Sequence, residues 1–262
     1  MKFSIYTYDS EKTSNVKNDL EQKLALKDFV HNPENPDIVF TIGGDGTVLK
    51  TIHHYMDAGI LSDVKFVGIH MGHLGYYTDW LPEELDDMVN FLTTREIESY
   101  SYTLLEAKLC AGSKTRMRYA LNEFTILNAT RTQHLDIKIN EQFFESFRGT
   151  GICVSSPTGS TAYNKSLGGA VVYPSLPVYQ LTEIASINSN AYRTLGSPLI
   201  IPAEQTITLE SENWDSTTLT QDYLQLDISE LTAIKITLSD KQVHFVKRKS
   251  GLFWNRVKNH FL

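Results

Sequence analysis

The sequence predicts an α/β domain followed by a mostly β domain, and three observations carry that expectation. Strand-like and helix-like segments alternate through the first 98 residues, the order that builds a parallel sheet flanked by helices. Beyond residue 98 the texture changes to short β-rich runs with few helix signals between them. The last residues, LFWNRVKNHF from 252, read as an amphipathic helix that can return to the first domain. The expected division is 1–98, with 252–262 packed back on it, and 99–251.

Taken in order, residues 3–8 (FSIYTY) form a short strand. A polar, helix-friendly stretch runs from Glu11 to Val30, with leucines at 20, 24 and 26, until Pro33 and Pro36 break it. Residues 37–42 (DIVFTI) are a buried strand, an apolar β-branched run held between proline and glycine. The loop GGDGT follows, then a helix from Val48 to Met56. Residues 64–69 (VKFVGI) are a third strand, and 82–92 (PEELDDMVNFL) a helix with Pro82 in its first turn. The β-rich part contains runs at 102–110, 116–127, 134–139, 142–147, 206–210, 232–238 and 242–246. GICVS at 151–155 is a further β-like run, and a helix signal interrupts the series at about 159–168.

The chain has 262 residues, enough for two modest domains with real cores. Its net charge of -7 is opposite to the basic excess of a nucleic-acid binder, so no nucleic-acid partner is expected. An acidic chain can still bind anionic nucleotides where backbone N–H groups and a metal ion supply local positive potential. The two cysteines, Cys110 and Cys153, match no metal spacing and no disulfide framework, which points to a reducing cytoplasm. The start, MKFSIYTYDS, has no apolar h-region, and no apolar run of 18 residues follows. Neither a signal peptide nor a membrane span is expected.

Three segments carry chemistry. Gly43-Gly44-Asp45-Gly46-Thr47 stands between a buried strand and a helix, where glycines let a ligand approach the backbone and free N–H groups hold phosphate. Asp45 is then a carboxylate beside a polyphosphate. It either accepts a proton from an attacking hydroxyl or helps to position a metal ion. The alternative is a tight βα turn with Thr47 near the helix cap. Asn122-Glu123, after the strand-like RMRYAL, offers an amide and a carboxylate to ribose hydroxyls or base edges, or else is a solvated turn. The third segment, RGTGICVSSPTGSTAYNKSLGGA from Arg148 to Ala170, breaks at Pro157 and Gly159 and then opens a helix. Its free N–H groups, the Ser160 and Thr161 hydroxyls and the Tyr163 phenol can meet a polar ligand; the plainer reading is a capped helix after a Pro-Gly turn. It contains no G-x-S-x-G nucleophile elbow, so a serine hydrolase is excluded.

Together these segments resemble the NAD kinase family. GGDGT at 43–47, GHLGYYTDW at 72–80, LNE at 121–123 and SSPTGSTAYNKSLGGA at 155–170 match its motifs in order and approximate spacing. IASINSN at 184–190 and YRTLGSPLIIP at 192–202 continue the match. The resemblance covers most of the chain and is closest to the short NAD kinases of Gram-positive bacteria. GGDG is shared with diacylglycerol kinases and 6-phosphofructokinases; the long PTGSTAYNKSLGGA run is the more specific signal.

The resemblance implies an α/β domain followed by a β-rich one. It implies transfer of the ATP γ-phosphoryl to the adenosine ribose 2′-hydroxyl of NAD, with Mg²⁺ or another divalent cation accompanying ATP and no metal site built by the protein alone. Asp45 matches the catalytic carboxylate, and Gly43, Gly44, Gly46 and Thr47 the ATP phosphate loop. Asn122, Glu123, Arg148, Thr150, Thr158, Thr161, Ala162, Tyr163, Asn164, Lys165, Ser166, Asp222 and Tyr223 match positions around NAD. Leu74 and Tyr76 match a loop that covers the substrate. Ala185 and Ile187 match residues that complete a neighbouring subunit's site, implying a homodimer or homotetramer. Two residues depart from the pattern. Thr150 stands where the family usually has Asp, on the nicotinamide side, and Tyr223 where close relatives often have His.

Other residues are set aside. His53, His54, His70 and His73 have no recognised metal-ligand spacing, and Lys247, Arg248 and Lys249 read as a solvated face or an interdomain contact. Two rival functions are a lipid kinase of the GGDG type, opposed by residues 158–166, and a dinucleotide sensor without catalysis, suggested by Thr150.

Overall fold

Five consecutive buried residues, Ile38–Ile42, set the first half of the fold, because a strand apolar on both faces belongs in the interior of a parallel sheet. In the computed structural model the described residues are 1–8, 10–72, 75–190, 192–248 and 252–262, the Leu252 side chain apart. His73, Leu74 and Lys249, singled out in the sequence, lie outside them. The chain divides into two compact units, Met1–Ser101 with Gln242–Leu262, and Tyr102–Lys241.

The first unit contains β1 (Lys2–Thr7), α1 (Glu11–Ala25), β2 (Val30–His31), β3 (Ile38–Ile42), α2 (Asp45–Asp57), β4 (Lys65–Ile69) and α3 (Leu85–Thr94). The strands lie parallel in the order β2-β1-β3-β4. Leu20 and Leu24 of α1 and Leu85, Met88, Val89 and Leu92 of α3 pack with Phe3, Phe40, Ile42 and Ile69 in one core. Ser10 caps α1 by accepting the Thr13 N–H. The helix ends at Ala25, short of the expected Val30, where Asp28 turns into the left-handed region at φ 59°. The helix after GGDGT begins at Asp45 instead of Val48, so the carboxylate sits on its first turn.

The second unit contains β5 (Ser99–Ala111, entered from the first unit), β6 (Lys114–Ala120), β7 (Glu123–Leu127), β8 (Gln133–Ile139), β9 (Gln142–Gly149) and β10 (Gly151–Ser155). A 3-10 turn (Thr158–Thr161) and the single-turn α4 (Tyr163–Ser166) follow. The series then continues with β11 (Val178–Ile184), β12 (Leu199–Pro202), β13 (Ile207–Glu210), β14 (Thr218–Gln221), β15 (Leu224–Leu226) and β16 (Ala233–Val246), whose last residues, from Gln242, belong to the first unit. Strands β12-β11-β10-β7-β14-β15 form an antiparallel sheet. Strand β13 pairs antiparallel with β8 and β16, and β8 with β9. Phe124, Ile126, Ile152 and Val154 of the first set meet Leu135, Ile137, Phe147, Ile207 and Leu209 of the second in a shared core, the packing of a β-sandwich.

The β-rich segments differ from expectation, first in that β11, β12, β14 and β15 lie outside the expected runs. The run at 116–127 is two strands, because the N–H groups of Leu121 and Asn122 turn to a side chain and leave the ladder. The runs at 232–238 and 242–246 are one strand. The helix expected at 159–168 is a 3-10 turn and one turn of α-helix. The chain closes with α5 (Leu252–Phe261) in the first unit. No helix among the described residues is long and apolar enough to cross a membrane.

Candidate active site

In the first unit the site is built where β3 ends. Gly43 donates to the Ile69 carbonyl at 2.9 Å and adopts φ 156°; a Cβ there would stand 2.3 Å from Thr47 Oγ1, so only glycine fits. Gly44 is the N-cap of α2, and Gly46 has open space around it. The Thr47 and Val48 N–H groups both donate to the Gly44 carbonyl, at 2.9 and 3.2 Å, and the helix dipole favours an anion at this end. Gly43, Gly44, Gly46 and Thr47 thus stand together at the N-terminal end of α2.

Asp45 is held by residues 31 and 32 positions further along the sequence. Its Oδ2 accepts the Tyr76 N–H at 2.8 Å and its Oδ1 the Tyr77 N–H at 2.9 Å. Gly75 allows that approach: a Cβ there would stand 2.2 Å from Asp45 Oδ1. Gly75 in turn donates to the buried Thr78 hydroxyl at 3.0 Å. The glycine's role was not read from the sequence, although it lies inside GHLGYYTDW. Tyr76 is placed beside Asp45 by its backbone. Among the four histidines set aside, His53 and His70 are buried, and the described residues hold no group of three or more His, Cys, Asp or Glu able to bind a metal.

In the second unit Asn122 and Glu123 are held by Asp222, a residue 99 positions beyond Glu123. Its carboxylate accepts the N–H groups of Leu121 (2.9 Å), Asn122 (2.7 Å) and Glu123 (3.2 Å). Asp222 itself sits at φ 52°, outside the conformations most residues adopt. The Pro157-Thr158-Gly159 turn docks directly on this pair. Ser156 N–H donates to the Asn122 carbonyl at 2.8 Å, and a Cβ on Gly159 would stand 2.0 Å from that oxygen. Thr158 and Thr161 are buried beside it, and the Tyr163 N–H donates to the Glu123 carboxylate. Tyr163, Ser166 and Tyr223 are exposed, Ala162 and Lys165 half-buried. Asn164 points inward, its Oδ1 accepting the Thr182 hydroxyl at 2.7 Å, so it anchors the turn.

A separate group forms at the other end of the same strands. Strands β7 and β10 pair Glu123 with Ser155 at one end and Leu127 with Gly151 at the other, a span of roughly 13 Å at about 3.3 Å per residue. Thr150 lies at that far end. The Ile187 N–H donates to the Arg148 carbonyl at 2.7 Å, and Gly149 is packed against the Ala185 carbonyl. Ala185 stands at φ 47°, and the Arg148 guanidinium lies 3.6 Å from the Tyr192 ring centroid. Arg148, Thr150, Ala185 and Ile187 are therefore one patch.

Glu123 is the most perturbed acid of these motifs. Burial, and then the Asp222 carboxylate, push it from an ordinary value near 4.5 up to about 8. It is neutral at pH 7 and can donate as well as accept. The folded protein holds a proton that the unfolded chain releases above about 4.5, so this contribution to stability is lost as pH rises from about 4.5 to 8. Glu123→Gln removes the titration. Relative to the parent, its Tm should rise from pH 5 to pH 8 and level off above; a difference independent of pH would contradict the assignment.

Comparison with known proteins decides what this loop and turn belong to. The ATP-NAD kinase N-terminal domain matches residues 6–97 and the ATP-NAD kinase C-terminal domain residues 121–248. This chain belongs to the NAD kinase family. It is 43% identical to the NAD kinase of Lactobacillus gasseri, covering 100% of this chain and 98% of that protein. It is 39% identical to NAD kinase 1 of Listeria monocytogenes, covering 100% and 99%. Among solved structures, a yeast NADH kinase complexed with NADH superposes with a TM-score of 0.84 at 18% identity, over 99% of this chain and 87% of that one. An NAD kinase from Archaeoglobus fulgidus in complex with ATP superposes with a TM-score of 0.75 at 21% identity, over 100% and 97%. Both share the fold.

Proposed function

We infer that this chain is an ATP-dependent NAD kinase that transfers the ATP γ-phosphoryl to the adenosine ribose 2′-hydroxyl of NAD, giving NADP and ADP. The observation that carries the reading is Asp45, a carboxylate on a phosphate-type loop aimed by two backbone N–H groups, in a chain of this family. The 2′-oxygen attacks the γ-phosphorus, the bond to the β,γ-bridging oxygen breaks, and Asp45 takes the hydroxyl proton. Gly43, Gly44, Gly46 and Thr47 hold the donor phosphates. Positioning and charge neutralisation supply most of the acceleration, as in phosphoryl transfer generally.

The Thr47 hydroxyl on the loop is a hard oxygen donor of the kind Mg²⁺ would take alongside substrate phosphates. A divalent cation entering with ATP would supply neutralisation of the phosphate oxygens. Asn122, Glu123, Thr158, Thr161, Ala162, Tyr163, Lys165 and Ser166 meet NAD, while Asp222 and Asn164 act by holding that surface in shape. Leu74, Tyr76 and Tyr223 complete the substrate's surroundings. The free cysteines Cys110 and Cys153 support a reducing compartment, the cytoplasm. Purified protein given ATP, Mg²⁺ and NAD should yield NADP; phosphorylation of diacylglycerol instead of NAD would overturn the reading.

The patch of Arg148, Thr150, Ala185 and Ile187 serves the nicotinamide half of NAD bound to a neighbouring subunit, so the working form is a homo-oligomer. A monomer by light scattering that stays active at high dilution would contradict this. Thr150 then sets discrimination. Oxidised nicotinamide carries a positive charge that the reduced ring lacks. A carboxylate about 6 Å away attracts it by on the order of 3 kcal/mol at an effective dielectric near 20, reduced to roughly 1 kcal/mol by solvent exposure. Thr150→Asp should therefore tighten NAD by about fivefold and NADH much less, and the gain should shrink with salt. An equal change for both cofactors would assign the position to shape instead of charge.

A further inference from the structure

The segment that aims Asp45 is itself held from the C-terminal end of the chain. Within the first unit, residues 76–80 run alongside β4, with Asp79 and Trp80 N–H groups donating to the Gly68 carbonyl and His70 N–H to the Trp80 carbonyl. Arg256 of α5 hydrogen-bonds the Asp79 carboxylate, and both side chains are buried, at 6% and 9% exposure. Arg248 also grips the same segment: it donates to the Asp79 carbonyl, pairs with Glu84 at 2.6 and 2.9 Å, and lies 4.0 Å from the Trp80 ring centroid. The rings of His260 and Phe261, on the last turn of α5, meet the Tyr76 ring at 4.8 and 6.3 Å. Phe245 stacks on Tyr77 at 5.6 Å. The C-terminal segment thus contacts Tyr76, Tyr77, Asp79 and Trp80, and two of these residues carry the N–H groups on Asp45.

We propose that α5 is a positioning element for phosphoryl transfer, with Arg256 as its anchor: by fixing the Tyr76–Asp79 segment it sets the direction of the Asp45 carboxylate. The proposal rests on Asp45 being the base. A buried ion pair is a poor source of net stability, because desolvation of both charges offsets their attraction. What it does supply is a fixed register between two segments, since the planar guanidinium bonds a carboxylate in few geometries. A shift of about 1 Å in a catalytic group costs on the order of 10²-fold in rate, so this register bears directly on turnover.

The test uses the full chain with Arg256→Gln, Arg256→Lys and Asp45→Asn, singly and combined. Arg256→Gln should lower kcat by about 10- to 100-fold with KM for ATP and NAD within about threefold. Arg256→Lys keeps the charge and the fold but loses the fork, and should lower kcat by about fivefold or more at an unchanged Tm. Neither should lower kcat further in the Asp45→Asn background, because both act through that carboxylate. Exchange of the Tyr76 and Tyr77 amide protons should accelerate in the Arg256 variants. If kcat of Arg256→Lys stays within twofold of the parent, or if the Arg256 and Asp45 losses multiply, α5 does not act through Asp45. If Asp45→Asn alone retains turnover within a few-fold, the base assignment fails first and takes this proposal with it.

Discussion

Asp45→Asn should keep NAD binding within a few-fold and cut turnover by roughly 10²–10⁴, the contribution expected of a general base. The substitution preserves size and shape but leaves one acceptor oxygen where the carboxylate has two. In the parent each oxygen accepts a backbone N–H, from Tyr76 and Tyr77. The new amide NH₂ must face one of those donors, so one N–H loses its partner, at about 1–3 kcal/mol if no water reaches it. A modest fall in Tm should therefore accompany the loss of turnover. Steady-state kinetics with both substrates, together with direct titration of NAD, separate the two effects. Turnover within a few-fold of the parent would remove Asp45 from the chemistry.

Gly75→Ala should be nearly as damaging while leaving every reacting group chemically intact. Gly75 is needed for space: its Cβ would stand 2.2 Å from Asp45 Oδ1 and 2.7 Å from Cγ. Contacts that short do not persist, so either the carboxylate rotates or the Tyr76–Tyr77 N–H groups withdraw. Both outcomes misaim the base, and a kcat loss of about 10- to 1000-fold is expected from a displacement of around 1 Å. KM for ATP should change little, since the glycines of the phosphate loop are untouched. A variant with kcat within threefold of the parent would show that the close packing of Gly75 on Asp45 does not set the base's geometry.

How much of this was legible in the sequence depended on whether the cause was local. The GGDGT loop could be read because each of its requirements lies within the pentapeptide and its neighbours: a buried strand before it, a helix after it, and a glycine at the positive φ of Gly43. Strands β1, β3 and β4 were legible for the same reason, as short apolar runs between breakers, whereas the two-residue β2 fell at the end of a stretch that reads as helix. Asn122 and Glu123 looked like an ordinary polar dipeptide, because what shapes them is Asp222, a hundred residues later. The turn at 158–166 looked like a longer helix. Its helix stops after one turn where Gly168 adopts φ 84°, while Gly159 packs on the Asn122 carbonyl, a contact that no local pattern encodes. Strands β11, β12, β14 and β15 fall outside the expected runs; they are segments of three to seven residues that become strands by pairing in the sandwich. Gly75 and Arg256 were invisible as functional residues, since neither touches the phosphate loop in sequence.

The proposed reaction is direct phosphorylation of the 2′-hydroxyl of NAD by ATP, with Asp45 as base. Its most direct test is transfer of label from γ-labelled ATP to NAD by the parent chain and by Asp45→Asn under the same conditions with Mg²⁺. The parent should place one labelled phosphate per NADP formed, on the 2′-position, and the variant should do so at least about 10²-fold more slowly. Label released as inorganic phosphate with no labelled NADP, or equal labelling by both chains, would contradict it.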